Sequence, residues 1–427
     1  MADPGPASGA PPAPGDPADR SLAAQYEDYP YPARDPADEK RRLLVGSPSH
    51  LREIDHWVFG AARSASTPLR VLVAGCGTGD AAIMLATQLA RAGRPGAVIA
   101  LDRSDKALAV VRARARARNL DNLRCCRGSL LDLPAEAAGP FDYVDCCGVL
   151  HHLPDPAAGL RALEAVLAPG GGMGLMVYAP HGRTGVYMLQ DALALLAPPA
   201  EPPPARLDVA KRVMRHLPAT AWLRANINFG DHIEGGDAGL YDLLLNPRDR
   251  AYTIDRFLAL LDAAGLEAAA LMEPARYDPA LLLPDPRLRE RAASLSPVDR
   301  AVLAESLAGN MNTHVLYAVR RGARPPEPDP MREDAVPVPR ERPMEAILSR
   351  LDGGNTLPLE FGRLLVPLPL PALARPVLTL VDGERPVGAI LAALAGRGID
   401  PVRARDAWRG CWDALSRANH LLLRPPP

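Results

Sequence analysis

Val71-Leu72-Val73-Ala74-Gly75-Cys76-Gly77-Thr78-Gly79-Asp80 is the stretch whose reading decides the fold. The apolar run Arg70 to Ala74 predicts a short buried strand, and the helical pattern that follows runs from Ala81 to Arg91. Between them lie Gly75, Gly77 and Gly79. Glycines at such a junction let the backbone turn sharply and let a ligand approach it closely. A glycine turn alone is weak evidence, but one set between a strand and a helix start is the local context of a nucleoside-binding site.

Outward from this turn, strands and helices alternate. Ala97 to Leu101 predicts a second strand, Asp105 to Asn119 a helix, Leu123 to Cys126 a third strand and Phe141 to Cys147 a fourth. Pro156 to Leu167 predicts a helix and Gly172 to Tyr178 a fifth strand. Leu266 to Leu271 and Thr313 to Val319 are late strand candidates, after a helix Ile254 to Ala264 with Thr253 as its N-cap. Strands and helices in this order imply βαβ units, so the fold class is α/β: a Rossmann-like, seven-stranded, mostly parallel sheet with helices on both faces. Residues 180 to 250 interrupt the alternation after the fifth strand and read as a helical insertion, with a proline-rich breaker at 198–204. Residues 1–20, rich in Pro, Ala, Gly and Asp, predict disorder, and 21–65 a helical lid with a helix around His50 to Phe59. The domain itself is expected over 66–322, a proline- and charge-rich linker over 323–343, and a small second domain over 344–427.

The spacing of the turn separates two ligands. A dinucleotide site of the G-x-G-x-x-G kind requires its third glycine at position 80, and position 80 is Asp. A carboxylate at the helix start repels a pyrophosphate. S-adenosylmethionine (SAM) carries an ammonium, a carboxylate and a sulfonium but no phosphate, and tolerates it. Asp102, at the end of the second strand, is placed to accept hydrogen bonds from a ribose, with Ser104 available to cap the next helix. Gly128 to Pro134 borders the crevice where such sheets bind ligands.

Composition narrows the class further. The 427 residues are 48% hydrophobic with a formal net charge of -1, which argues against bulk nucleic acid or an anionic membrane as a partner. Arg112, Arg114, Arg116 and Arg118 spread over two helix faces and read as solvated. The six cysteines form no CxxC pair, so no metal is expected. They read as reduced residues of a cytoplasmic protein. No signal pattern and no apolar run long enough to span a membrane is present.

Together these pieces resemble the class I SAM-dependent methyltransferases. The resemblance rests on Val71 to Gly79, Asp102, Gly128 to Pro134, Phe141-Asp142-Tyr143-Val144, Val149-Leu150-His151-His152-Leu153 and Leu167-Ala168-Pro169-Gly170-Gly171. It implies SAM as cofactor, with Gly75, Cys76, Gly77 and Gly79 lining its methionine part, Asp102 holding the ribose, Ser129 and Leu130 meeting the adenine, and Ala74, Asp80 and Arg103 as further cofactor-binding residues. The family usually has Asp or Glu where this chain has Val73, and often Asp where it has Ser129. Asp80 or a residue of the N-terminal segment is the expected substitute for the first. Val377 to Ile390 and the leucine-rich end are similar to small winged-helix-like modules behind some bacterial methyltransferases. Without a basic recognition helix, a regulatory or packing role is expected there.

Methyl transfer is an in-line displacement that requires alignment and exclusion of water, and a base only for a protonated nucleophile. His151 is the candidate base, ordering of its loop being the alternative. Tyr26, Tyr29 and Tyr31 are candidates for a flap. The acceptor is not identified; a small molecule is favoured over a macromolecule. Its contacts are expected from the insertion: His181, Arg183, Tyr187, Gln190, Asn228, Asp231, His232, Asp237, Tyr241, Arg250 and Tyr252. A SAM-binding protein without turnover and an NAD-dependent oxidoreductase are the competing readings.

Overall fold

The computed structural model describes residues 17–227, 230, 233 and 235–426. Strands β1 (Leu69–Ala74), β2 (Gly96–Asp102), β3 (Leu123–Arg127), β4 (Phe141–Cys147), β5 (Leu167–Tyr178), β6 (Leu266–Leu271) and β7 (Thr313–Arg320) form one sheet in the order β3-β2-β1-β4-β5-β7-β6. β1 to β5 pair in parallel, and β7 runs antiparallel to both β5 and β6. The order reverses between β1 and β4, which opens a crevice at their carboxyl ends.

Both faces of the sheet are covered, so β1 is apolar at nearly every position. On one face Leu72, Ala74, Val144 and Leu175 meet Leu160 of the helix Pro156–Ala165 and Phe257 of the helix Ile254–Ala263. On the other, Val71, Val73, Tyr143 and Tyr317 meet Leu85 of the helix Asp80–Arg91 and Ile54. Ser104 caps the helix Asp105–Ala117 by accepting from the Ala107 amide at 3.0 Å. Thr253 holds the N-cap position but does not cap. Its hydroxyl bonds Asp255 at 2.5 Å, and the buried carboxylate of Glu305 accepts the Ile254 amide at 2.9 Å.

Several boundaries differ from expectation. A helix, Pro17–Asp28, starts inside the stretch expected to be disordered; residues 1–16 lie outside the described residues. The expected helix at His50 to Phe59 is a single turn, Leu51–Glu53, continued by a wider π turn, Ile54–Val58, that buries Ile54 and Val58. In the insertion, Pro203 and Pro204 occupy the first turn of the helix Pro203–Arg215, where a missing N–H costs nothing. The insertion helices Val186–Leu196, Pro203–Arg215 and Gly236–Leu244 share a small core of Val186, Leu193, Leu207, Leu240 and Leu244.

The expected linker is built into the structure. Its strand β8 (Pro337–Pro339) pairs antiparallel with β11 (Leu421–Leu423), and Pro330 O accepts from the Trp408 indole at 2.7 Å. The C-terminal unit adds a hairpin of β9 (Thr356–Phe361) and β10 (Leu364–Pro369) and the helices Val387–Gly396 and Pro401–Arg417, around Ile390, Leu394, Trp408 and Leu415. It joins the sheet through Glu53, which is fully buried. This carboxylate accepts from Tyr317 Oη at 2.6 Å, Asn419 Nδ2 at 2.6 Å, Ser47 Oγ at 2.9 Å and the Arg340 guanidinium. A buried charge is tolerated only when paired and fully hydrogen-bonded, as here. Among the described residues no helix is long and apolar enough to cross a membrane.

Candidate functional site

The crevice at the reversal point is a cavity of about 810 Å³. One wall is made of strand ends and the turns that follow them. Gly75 and Gly77 take left-handed backbone conformations with φ of 71° and 51°. A side chain at Gly75 would strike Val149 at 2.5 Å, and one at Gly77 would strike Tyr31 O at 2.5 Å. Glycine is therefore required twice, by backbone conformation and by lack of space. The strap from the N-terminal segment lies on this turn, with Thr78 Oγ1 donating to Pro32 O at 2.6 Å.

Asp102 is held at the end of β2 by two backbone amides. Oδ2 accepts from Gly77 N at 2.7 Å and Oδ1 from Ser104 N at 2.9 Å. Burial pushes its carboxyl above the usual range, against the pull of these amides. Each oxygen retains a lone pair, which is what a ribose diol needs. Gly75, Cys76, Gly77, Asp80, Asp102, Arg103, Ser129 and Leu130 all line the cavity. Ala74 and Gly79 are not among the lining residues. Ala74 is fully buried beneath the sheet among Leu72 and Leu101, and Gly79 is the N-cap of the helix Asp80–Arg91.

The charge of Asp80 is already matched. Arg34 donates to both its oxygens, at 2.7 Å to Oδ2 and 3.0 Å to Oδ1, and Arg114 Nη1 donates to Oδ1 at 2.7 Å. Burial raises this carboxyl, but the two guanidiniums hold it below the usual range. Arg114 departs from expectation: it is buried and ties Glu39 of the strap to Thr78 O and Asp80. Arg112 and Arg116 are exposed.

The opposite wall is assembled from distant parts of the chain: Tyr26, His152, Tyr178, Arg183 and Asp242. Asp242 is buried within the insertion helix Gly236–Leu244. Tyr26 Oη donates to it at 3.0 Å, and Tyr178 Oη, Gln25 Nε2 and Asn246 Nδ2 each lie at 3.4 Å. Burial raises its carboxyl above the usual range, with His152 pulling the other way. Arg183 stands 3.7 Å from the Tyr178 ring centroid and pairs with buried Asp249 at 2.7 Å.

His151, the expected base, does not face the cavity. It is fully buried, stacked on Tyr178 at 4.0 Å, and is not a lining residue. Among the described residues neither ring nitrogen finds a hydrogen-bond partner, and burial, with His152 and Arg183 nearby, pushes its basicity well down. His152 lines the cavity instead. Its Nδ1 donates to the Arg248 carbonyl at 2.6 Å.

Of the residues expected from the insertion, Arg183 lines the cavity. Tyr187 and Gln190 support the Arg183–Asp249 pair, Tyr241 stacks on Tyr29 at 5.2 Å, and Asp237 pairs with Lys211 at the surface. His181, Arg250 and Tyr252 pack around the rim and core, with Arg250 donating to Pro154 O. Asn228, Asp231 and His232 lie outside the described residues. Sequence reasoning missed Asp242, whose one signal is an acid inside the apolar run Leu240-Tyr241-Asp242-Leu243-Leu244, and Asp145, an acid inside the apolar strand β4.

Comparison with known proteins agrees with this geometry. Residues 72–173 match a family described as methyltransferase domain. A protein of Synechococcus sp., itself uncharacterized, is 30% identical over 312 residues, 72% of this chain and 72% of that one. A ubiquinone biosynthesis O-methyltransferase of Acinetobacter baumannii is 34% identical over 137 residues, 32% of this chain. The chain belongs to the class I SAM-dependent methyltransferases. It is an enzyme of that kind, with SAM as its cofactor. For this methyltransferase the match to the Acinetobacter protein spans 53% of that protein's length. The structure of PKMT2 from Rickettsia typhi in complex with AdoHcy shares the fold, at a TM-score of 0.59 and 15% identity over 88% of this chain and 75% of that one.

The site fits SAM on its own terms. Gly75 and Gly77 line the cavity with bare backbone, and Asp102 beside them offers a ribose acceptor.

Proposed function

We propose that this methyltransferase acts on an oxygen of a small, hydroxylated, partly apolar molecule, enclosed between the strap and the insertion. The observation that carries this reading is Asp242: a buried carboxylate on the lid wall, ringed by two tyrosine hydroxyls and facing the same cavity as the glycine turn. The cavity's size supports it, since small-molecule sites run roughly 300–1,000 Å³. The names of the Acinetobacter relatives, ubiquinone biosynthesis O-methyltransferases, support an oxygen acceptor.

SAM, when bound, supplies a methyl group activated by the sulfonium. The chain's residues align and shield. Tyr31 and Pro32 cover the glycine turn and exclude water. Tyr26 and Tyr178 orient the acceptor hydroxyl toward Asp242, and Asp242 or Nε2 of His152 takes its proton as the oxygen attacks. The new bond is O–CH3, the broken one S–CH3, and S-adenosylhomocysteine leaves.

The test is incubation with methyl-labelled SAM, a panel of small phenols and catechols, and in parallel whole protein and RNA extracts. Label in a phenol, lost in Asp242→Asn, is the expected result. Label confined to protein or RNA would overturn the small-molecule reading.

A further inference from the structure

The methionine end of SAM carries an ammonium, and the cavity must offer it an acid. Five acids line the cavity; Asp132 is exposed, and three others have other work. Asp80 is matched by Arg34 and Arg114, Asp102 sits at the ribose position in the grip of Gly77 and Ser104 amides, and Asp242 belongs to the lid wall. Asp145 has no such partner. It lies on β4, fully buried, and lines the cavity alongside Gly75 and Cys147.

Its two oxygens differ. Oδ2 accepts from Ser49 Oγ at 2.7 Å, whereas among the described residues Oδ1 has no hydrogen-bond partner. The Cys147 thiol beside it is a weak donor that interacts with the carboxylate and cannot supply a charge to match it. In register on the flanking strands stand Val73 of β1 and Gly174 of β5, neither of which can pair with it. Leaving a buried carboxylate oxygen unmet is costly, and the cost is relieved by a cation that arrives with a ligand. Val73 and Asp145 are neighbours on the same sheet face, directly behind the glycine turn, so the acid at this level of the sheet is supplied by β4 and not by β1.

We propose that Asp145 receives the ammonium of the cofactor's methionine part through Oδ1, with Ser49 fixing the carboxylate by its other oxygen. Asp145 is then a positioning residue for the cofactor: it distinguishes SAM and S-adenosylhomocysteine from nucleosides that lack the amino acid.

Calorimetry with two ligands tests this without turnover. S-adenosylhomocysteine carries the ammonium; 5′-methylthioadenosine has the same nucleoside and no amino acid. Asp145→Asn should weaken the first by about 10- to 100-fold and leave the second within about twofold. Equal affinity of S-adenosylhomocysteine for both proteins, or equal weakening of both ligands, would overturn the proposal. Because Asp145→Asn could disturb the sheet, the unmodified protein provides a second reading. Burial, opposed by Ser49 and Cys147, pushes the Asp145 carboxyl up to about 6. The titratable groups coupled to it are Tyr143, Cys146 and Cys147 of its own strand, all pushed up and neutral in this range; beyond them stand Glu53, paired with Arg340, and Asp102, which both ligands meet. Affinity for S-adenosylhomocysteine relative to 5′-methylthioadenosine should therefore be flat between about pH 7 and 8 and fall as pH drops through about 6. Parallel profiles for the two ligands would overturn it as well.

Discussion

The two walls of the cavity are built in different ways. The cofactor wall consists of short turns, each following its own strand: Gly75 to Gly77 after β1, Asp102 to Ser104 after β2, Gly128 to Asp132 after β3. Its geometry is local, set by glycine backbone conformations and by backbone amides that grip Asp102. The lid wall has no local unit. Tyr26, His152, Tyr178, Arg183 and Asp242 come from five separate elements and meet because the insertion core around Leu193, Leu207 and Leu240 docks on the strap, with Tyr29 stacked on Tyr241. A wall made of turns tolerates change elsewhere in the chain. A wall made of long-range contacts is the part that can vary with the acceptor while the cofactor site stays fixed.

The comparison can be broken most sharply at Asp242. Asp242→Asn keeps the shape and removes the proton acceptor, so turnover should drop by about 10²- to 10⁴-fold, read as label transferred from SAM. A variant with unimpaired turnover would remove Asp242 from the chemistry. The next largest effect should touch neither wall selectively. Arg340→Ala strips Glu53 of its cation at the joint with the C-terminal unit, a loss of about 3 kcal/mol in thermal or denaturant unfolding. Third, Asp102→Ala should weaken S-adenosylhomocysteine by about 10- to 100-fold in calorimetry.

A smaller effect distinguishes the two histidines. His151→Phe should keep the stack on Tyr178 and leave turnover within about threefold, since among the described residues the His151 ring nitrogens have no hydrogen-bond partner. The smallest is an acid effect at the joint. His56 accepts the Leu423 amide at 3.1 Å as a neutral ring, and burial lowers its pKa to about 3. The unfolded chain binds this proton near pH 6.5, the folded one near 3. Its contribution is therefore whole above about 6.5 and is lost progressively as pH falls through that window. Melting temperature followed from pH 7 to 5 should decline, and decline less steeply in His56→Gln.

The same contrast explains what was legible in the sequence. β1, the glycine turn and Asp102 could be read because each works through its own neighbours: apolar runs for strands buried on both faces, glycines where φ turns positive. Ala74 was misassigned by one step of strand alternation, which sends its side chain under the sheet. His151 and His152 are adjacent, and no sequence pattern says which faces the crevice; stacking on Tyr178 decides it. The buried Arg114 looked like its exposed neighbours Arg112 and Arg116, because its partners Glu39 and Asp80 lie 75 and 34 residues away. The expected linker holds a short strand, β8, that pairs with β11 more than 80 residues further along, a partner no local pattern reveals.

The division of the cavity is tested most directly by S-adenosylhomocysteine binding to Asp102→Ala and Asp242→Asn side by side. The account predicts that the first loses affinity by about 10-fold or more while the second stays within about twofold of the unmodified protein. Equal loss in both would mean that the two walls form one site, and would contradict it.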